Sequence, residues 1–188
     1  MKYFKLVMDM ERCNDIVCHY KNDLGMQQNM LIGGKECLEW NNDFEFYYDK
    51  MEGSFASDYL ANDKGWFVVS EKLKNLMSEL ESDIQYIPVK IVENSTKELL
   101  EGYFIANILR VVDALCLEKS KYFTTEIQGI GTIYTVSKYG IYQAKTNNSD
   151  VFKLANRQEV PIFVSENFAN EIARSGITGI SFIEIEVQ

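Results

Sequence analysis

The chain has 188 residues, of which 46% are hydrophobic and 25% are charged, and its formal net charge is −9. This balance is typical of a soluble folded protein and argues against a disordered chain, so we expect residues 1–188 to form a single domain. The negative charge is strongest in residues 1–60. It argues against direct nucleic-acid binding and favours a basic protein partner.

Alternating apolar residues and abundant aromatic residues predict a chain rich in strands. The predicted strands are residues 3–8, 15–20, 44–48, 65–69, 84–91, 102–109, 131–136, 140–144, 151–154, 161–164 and 181–187. No apolar run approaches the roughly 20 residues that span a bilayer, so we expect no membrane insertion. Lys5, Asp9 and Glu11 lie where a signal peptide would be uniformly apolar, which predicts a cytoplasmic location.

The N-terminal third contains the stretch ECLEWNNDFEFYYDKMEGSFASD, residues 36–58, which we call the acidic segment. Its carboxylates outnumber its single base, Lys50, by seven to one. Carboxylates that steer a partner and large aromatic rings that anchor it are typical of protein interfaces. The predicted partner-binding residues are Glu36, Glu39, Trp40, Asp43, Glu45, Tyr47, Tyr48, Asp49, Glu52 and Asp58.

A second interpretation of the acidic segment is an amphipathic strand. Phe44, Phe46 and Tyr48 recur at the period of two that buries one face of a strand. The two interpretations are compatible, because the other face of such a strand stays open to a partner.

A metal site is not expected. Cys13, Cys18, His19 and Cys37 are the candidate ligands, since thiolates and imidazoles are the groups that zinc prefers. Their spacing contains neither a C-x-x-C pair nor a pair of histidines, which favours reduced, buried thiols. With Cys116 the cysteines are also too few and too irregular for a secreted disulfide framework.

Two similar stretches predict the helices. WFVVSEKLKNL begins at Trp66 and IFVSENFANEI at Ile162, and in each an apolar run precedes Val-Ser-Glu. Ser70 and Ser165 are predicted N-caps, because a serine there accepts a hydrogen bond from a free amide of the first turn. A strand follows each helix, so residues 65–91 and 161–187 form two strand–helix–strand units. The predicted fold is α+β, with a mixed or antiparallel sheet and few helices.

The sequence contains no familiar catalytic arrangement. Neither serine lies in a G-x-S-x-G turn, and His19 is the only histidine. The stretch GIGTIY, residues 129–134, lacks the third glycine and the helix of a dinucleotide loop, so it indicates a hairpin or the start of a strand. We therefore predict no catalytic residue, no cofactor and no enzymatic activity.

From Gly65 onward the sequence resembles the bacterial polymorphic-toxin immunity proteins of immunity family eleven, formerly a domain of unknown function. The stretches that carry the resemblance are GWFVVSEKLKNLM, IQYIPVKI, GYFIANILRVVDALCLEKS, VFKL and PIFVSENFANEIARSGITGISFIEIEV. The landmark residues are Trp66, Ser70, Leu73, Pro88, Tyr103, Asn107, Asp113, Ser120, Phe163, Ser165, Phe168, Gly176, Gly179 and Phe182. Residues 1–60 depart from this pattern and contain the acidic segment.

The resemblance implies a cytoplasmic α+β protein that binds and neutralises a toxin and performs no chemistry. A variable, charged region on a common scaffold is a suitable place for partner choice, so we predict that residues 1–60 select the toxin. Two alternatives stay open. One is a self-associating protein that pairs strand edges, and an immunity protein can also be a homodimer. The other is an enzyme, which a strongly shifted pKa in a deep pocket would indicate.

Overall fold

The computed structural model describes residues 1–129 and 131–188. Within these residues it contains the α-helices α1 (Glu71–Leu80) and α2 (Glu166–Arg174). The strands are β1 (Tyr3–Met8), β2 (Val17–Cys18), β3 (Glu45–Tyr48), β4 (Tyr59–Asn62), β5 (Val68–Ser70), β6 (Ile84–Pro88), β7 (Lys90–Glu93), β8 (Tyr103–Ile108), β9 (Val111–Val112), β10 (Lys121–Ile127), β11 (Gly131–Lys138), β12 (Gly140–Ile141), β13 (Val151–Leu154), β14 (Ile162–Ser165), β15 (Ile180–Glu184) and β16 (Glu186–Val187). Short 3-10 helices lie at Gln28–Leu31, Leu117–Lys119 and Gln143–Lys145.

Two five-stranded sheets form the body of the protein. Their strand orders are β2-β4-β5-β8-β6 and β9-β13-β14-β1-β15. In each sheet the first two strands are parallel, and the other neighbours are antiparallel. Three two-stranded ladders accompany the sheets: β3 with β7, β12 with β16, and the hairpin of β10 and β11. The predicted α+β fold with mixed and antiparallel sheets is confirmed.

The two sheets repeat one arrangement. Strand for strand, β2 corresponds to β9, β4 to β13, β5 to β14, β8 to β1 and β6 to β15, with the same relative directions. The registers also agree, because Ser70 lies opposite Tyr103 in one sheet and Ser165 opposite Tyr3 in the other. The parallel ladders β3–β7 and β12–β16 correspond as well. The repetition therefore extends well beyond the two predicted strand–helix–strand units.

Each repeat begins with a strand that completes the sheet of the other repeat. β1 lies between β14 and β15, and β8 lies between β5 and β6. In each unit the two strands that flank the helix therefore run parallel, with one antiparallel strand between them. Because the first strands are exchanged, the two halves of the chain cannot separate without breaking both sheets.

The core has three clusters, one between the sheets and one on the outer side of each. The central cluster includes Leu73 and Met77 of α1 and Phe168 and Ile172 of α2, together with residues of both sheets. The outer cluster of the first sheet contains Phe44, Phe46, Leu60, Trp66, Val68, Ile91 and Ile105. That of the second sheet contains Tyr3, Val112, Tyr139, Ile141, Phe152, Leu154 and Phe163. The ladders β3–β7 and β12–β16 each contribute a buried face to the cluster on their side.

Both predicted N-caps are confirmed. The Ser70 hydroxyl accepts a hydrogen bond from the Leu73 amide at 3.1 Å, and the Ser165 hydroxyl accepts one from the Phe168 amide at the same distance. Each serine also donates to an aspartate on the neighbouring strand connection: Ser70 to Asp58 at 2.6 Å, and Ser165 to Asp150. The cap is thus a Ser–Asp pair, and it is part of the repeat.

Several strand boundaries differ from those predicted. Residues 84–91 and 181–187 each form two strands, because Val89 and Ile185 are single buried residues at which the chain passes from a sheet to a ladder. β4, β9 and β10 were not predicted, and residues 143–145 form a 3-10 helix where a strand was expected. β11 begins at Gly131, whereas Ile130 of the GIGTIY stretch lies outside the described residues.

In the parts of the chain that the structure describes, neither helix has the length and apolar character needed to cross a bilayer.

Candidate functional site

The acidic segment lies along the edge of the first sheet. The Cys37 amide donates to the side-chain carbonyl of Gln85 at 2.8 Å, and the Gln85 side chain donates back to the Cys37 carbonyl at 2.9 Å. The segment then continues into β3, which pairs in parallel with β7. This attachment places residues 36–48 across the outer cluster of the first sheet, so half of the segment's aromatic rings are core.

β3 alternates as an amphipathic strand should. Phe44, Phe46 and Tyr48 are buried, while Glu45 is exposed and Tyr47 is half-buried. Tyr48 is only 6% exposed because its ring packs in the outer cluster of the first sheet, and its role as a partner anchor stays a prediction. The Tyr47 ring lies 5.6 Å from the His19 ring between centroids, and the Lys21 ammonium lies over it at 4.9 Å.

Trp40 lies between core and surface. Its ring is half-buried and contacts the rings of Phe44 and Trp66, each at 5.7 Å between centroids. These edge-on and tilted contacts fix the orientation of the indole while one side stays accessible. A rigid aromatic side chain held in this way loses little conformational entropy when a partner covers it.

Three carboxylates of the segment, Glu36, Glu39 and Asp43, are exposed. None of them takes part in an ion pair with another described residue. By contrast, Glu45 pairs with Lys90 at 2.6 Å. The uncompensated negative charge of the segment is therefore concentrated in residues 36–43, beside Trp40.

The remaining predicted carboxylates have intramolecular partners. Asp49 accepts the Met51 amide at 2.8 Å and closes a turn. Asp58 accepts the Ser70 hydroxyl and, through its second oxygen, the Thr178 amide at 2.8 Å. This half-buried carboxylate therefore holds the N-cap serine of α1 and joins it to the loop after α2. That Asp58 also contacts a partner stays a prediction.

Two hollows flank β3 on the surface. One, of about 160 Å³, is bordered by Leu24, Asp43, Glu45, Tyr47 and Val92. The other, shallow and of about 450 Å³, is bordered by Trp40, Pro88, Leu99 and Phe104. Leu99 is half-exposed and was not a predicted site residue; nothing in its local sequence marks it, since the pairing of β3 with β7 brings it here. Lys21 and Lys97 also border the first hollow and Lys90 the second, so acidic, basic and apolar side chains share this face.

His19 lies behind the same face and is held by two carboxylates. Its Nε2 is 2.9 Å from Glu52 and its Nδ1 is 3.0 Å from Asp63. Partial burial lowers the pKa of His19, but the hydrogen bonds to Glu52 and Asp63 raise it by more, so the net shift is upward. Glu52 is therefore exposed but also bonded to His19. The imidazole has a structural role.

A cavity of about 150 Å³ lies between the two repeats. Its walls include corresponding residues of both, Leu6 with Ala106 and Phe67 with Ile162. Lys153 also borders the cavity, and burial lowers its pKa to about 8 despite the opposing charge of Glu159. Lys153 has a structural role, because its ammonium donates to the carbonyls of Leu31 and Ile32 at 2.8 and 2.9 Å and so joins β13 to the first repeat. Nothing in the sequence predicted this buried lysine.

Among the described residues, no three side chains of histidine, cysteine, aspartate or glutamate are grouped so that they could hold a metal ion. Cys18 and Cys116 are buried, Cys37 is half-buried and Cys13 is exposed. Burial first, and the charge of Asp63 second, raise the pKa of Cys18 to about 12, so this thiol stays protonated at neutral pH.

These features define an α+β protein of two interlocked repeats, with an acidic and aromatic face on the first repeat. The chain belongs to the Immunity protein family (Imm11), whose family model matches residues 2–187. The match extends through residues 1–60, which were expected to depart from the family pattern, and β1 explains why: it is a strand of the second sheet. Membership in this family indicates toxin immunity. No curated protein matches the chain.

Proposed function

We propose that this protein binds a cognate bacterial toxin in the cytoplasm of the cell that produces it, and that it neutralises the toxin by this contact alone, without chemistry. The observation that carries the proposal is the family membership, which covers essentially the whole chain. The acidic segment supplies the binding face. Its refined contact set is Glu36, Glu39, Trp40, Asp43, Glu45, Tyr47, Asp49 and Glu52.

Charge would guide the encounter. The free carboxylates Glu36, Glu39 and Asp43 attract a toxin that has a basic surface, such as the cleft of an enzyme acting on an anionic substrate. Attraction over this range accelerates association and weakens as salt is added, because salt screens exposed charges.

The aromatic rings would hold the complex together. Trp40 packs against the core rings of Phe44 and Trp66, and Tyr47 packs against His19. Each of the two borders a hollow that a toxin side chain can fill. Well-packed aromatic residues of this kind contribute most of the affinity of many interfaces and chiefly slow dissociation.

The test begins with the protein encoded by the gene next to that of this chain, inactivated at its catalytic site and purified with the tagged chain. The variant Glu36→Lys/Glu39→Lys/Asp43→Lys reverses the free carboxylates. We expect its association rate to fall at least tenfold at low salt and its salt dependence to weaken.

A matched control is the variant Glu11→Lys/Glu79→Lys/Glu118→Lys, which changes the net charge equally at exposed sites outside the segment. If the association rate falls equally in both variants, the effect arises from the net charge and not from the acidic segment. An unchanged rate in the first variant removes residues 36–43 from the interface.

A further inference from the structure

The hairpin of β10 and β11 extends from the second repeat as a separate ladder. Every residue of β10 is exposed, including two aromatic side chains, Phe123 at 61% and Tyr122 at 41%. Tyr122 contacts Tyr134 of the paired strand at 5.4 Å between ring centroids. Phe123 lies opposite Thr135 and makes no aromatic contact within the described residues. The hairpin thus presents the apolar surface of β10 uncovered, whereas Val136 of β11 packs against the outer cluster of the second sheet.

The outer edge of β10 is open. Within the described residues, β10 pairs with β11 and with no other strand. Proteins usually protect such an edge with proline, a bulge, inward-pointing charges or a short strand. β10 has seven residues and no proline, and its one register irregularity lies at its start, between Lys121 and Tyr122. From Tyr122 to Thr125 it has no charge. The edge is therefore suited to receive another strand.

The repeat shows that the scaffold does not require this hairpin. In the second repeat it connects β9 to β12; in the first, the connection from β2 to β3 folds onto the core, where Met26 and Leu31 are buried. The hairpin contacts the body midway along β11, where Gln158 donates to the Tyr134 carbonyl at 2.8 Å, and at its base, where Lys138 pairs with Glu186. An exposed apolar addition to a complete fold is consistent with a role in binding.

The charge of the hairpin is opposite to that of the chain. Residues 121–138 contain two lysines and one glutamate, in a protein of net charge −9. Lys138 pairs with Glu186, whereas Lys121 makes no ion pair with a described residue. A strand that lies along β10 and carries a carboxylate near Lys121 would match both the apolar surface and the charge.

We propose that the toxin adds an edge strand to β10, with alternating apolar side chains over Phe123 and an acidic side chain near Lys121. This inference rests on the proposed function and gives the protein a second contact, of different chemistry from the acidic segment. Main-chain hydrogen bonds supply affinity in strand addition, and the flanking side chains supply specificity.

A second copy of this chain fits the edge less well. A seven-residue strand is only about 24 Å long. Pairing two such edges provides much less than the roughly 1,200 Å² that a stable interface buries. It would also bring together two bodies of the same negative charge, which repel one another.

Dissociation kinetics of the purified complex with the neighbouring-gene toxin test the proposal. In one variant, Asn-Gly replaces residues 122–137 and joins Lys121 to Lys138, which are cross-strand partners. In a second, Phe123→Lys keeps the hairpin and charges its apolar surface; Val160→Lys is the control, because Val160 is equally exposed outside the hairpin. A third, Lys121→Glu, reverses the charge that is expected to face the toxin.

We expect dissociation to be at least tenfold faster for the shortened hairpin and for Phe123→Lys, severalfold faster for Lys121→Glu, and unchanged for Val160→Lys. Thermal melting verifies that each variant is folded, and Phe123→Lys carries the test if the shortened hairpin is not. Rates within twofold of wild type overturn the inference but leave the proposed function standing. A dimer that hairpin shortening dissolves also overturns it. Failure of the wild-type chain to bind the toxin removes both proposals.

Discussion

Replacing Ser165 with alanine tests the repeated Ser–Asp cap. Ser165 is 1% exposed, accepts the Phe168 amide at 3.1 Å and donates to Asp150. Alanine removes the cap, which costs about 1 kcal/mol, and leaves the carboxylate of Asp150 with only the long hydrogen bonds, at 3.4 Å, from the Asn167 side chain. Asp150 is half-buried, so water replaces part of that bond. We expect Ser165→Ala to lower the free energy of unfolding by about 2–3 kcal/mol.

The equivalent change in the first repeat should cost less. After Ser70→Ala, Asp58 still accepts the amide and the hydroxyl of Thr178, at 2.8 and 3.0 Å, so only the cap itself is lost. The expected cost is about 1 kcal/mol. Ser78→Ala is the control, because Ser78 is exposed in α1 and its hydroxyl only donates back to the Lys74 carbonyl. It should be neutral within about 0.5 kcal/mol.

Urea unfolding of the three variants, with equal m-values, gives the comparison directly. In thermal melts, each kcal/mol should appear as a fall of about 2–4 °C for a chain of this size. If Ser165→Ala is no less stable than Ser78→Ala, or if Ser70→Ala is the more damaging of the two cap variants, the assigned hydrogen bonds do not stabilise the fold as described.

Three further predictions concern stability. The raised pKa of His19 stabilises the fold fully below its ordinary pKa of 6.5, and this stabilisation is lost as pH rises through the pKa of the folded state. Above pH 6.5, the free energy of unfolding of wild type should therefore fall relative to that of His19→Gln. Parallel pH profiles of the two proteins would contradict this. Between about pH 8 and 10.5, the lowered pKa of Lys153 means that the unfolded state binds a proton that the folded state has released, so the free energy of unfolding should rise with pH there. The difference in unfolding free energy between wild type and Lys153→Met should change by about 3 kcal/mol across that range. No change would mean that folding does not lower the pKa of Lys153. Gly179 has a φ of +82°, and an added Cβ would lie 2.6 Å from the Tyr59 carbonyl oxygen. Gly179→Ala should therefore lower the free energy of unfolding in urea by at least about 2 kcal/mol. Gly129→Ala is the control for the backbone cost alone, because Gly129 has a φ of +79° and no atom near its added Cβ.

The helices and most of the sheet strands could be predicted because their signals are local. Ser70 and Ser165 are followed by apolar residues at helical spacing, and core strands such as Val151–Leu154 are short, mainly apolar runs that are buried on both faces. β10 was missed because both of its faces are exposed, so no buried face imposes alternation on its sequence. β9 has only two residues, too few for any period to show.

The repeat was only partly visible for a different reason. Its second half is completed by β1, which lies at the opposite end of the chain from β14 and β15. Tyr3–Phe4 and Tyr103–Phe104 occupy equivalent positions against the two caps, but a repeat read in chain order offers no reason to compare them. Strand exchange is a property of tertiary pairing, and one sequence does not reveal it.

The sequence predicted the composition of the candidate face but not which of its side chains are exposed. The sequence placed carboxylates and aromatic rings together in residues 36–58, and the structure separates their roles: Tyr48 is core, Asp58 is a cap partner, and Glu36, Glu39 and Asp43 are exposed. Composition counts charges but cannot say which of them have partners within the chain. Leu99 joins the face only through the pairing of β3 with β7.

Growth of bacteria that express the active toxin encoded by the neighbouring gene is the most direct test of toxin binding. Cells that also express the wild-type chain, or the control variant Glu11→Lys/Glu79→Lys/Glu118→Lys, should grow. Cells with Glu36→Lys/Glu39→Lys/Asp43→Lys at the same protein level should be poisoned. Poisoning in the presence of the wild-type chain, or full protection by the charge-reversed variant, would contradict the account.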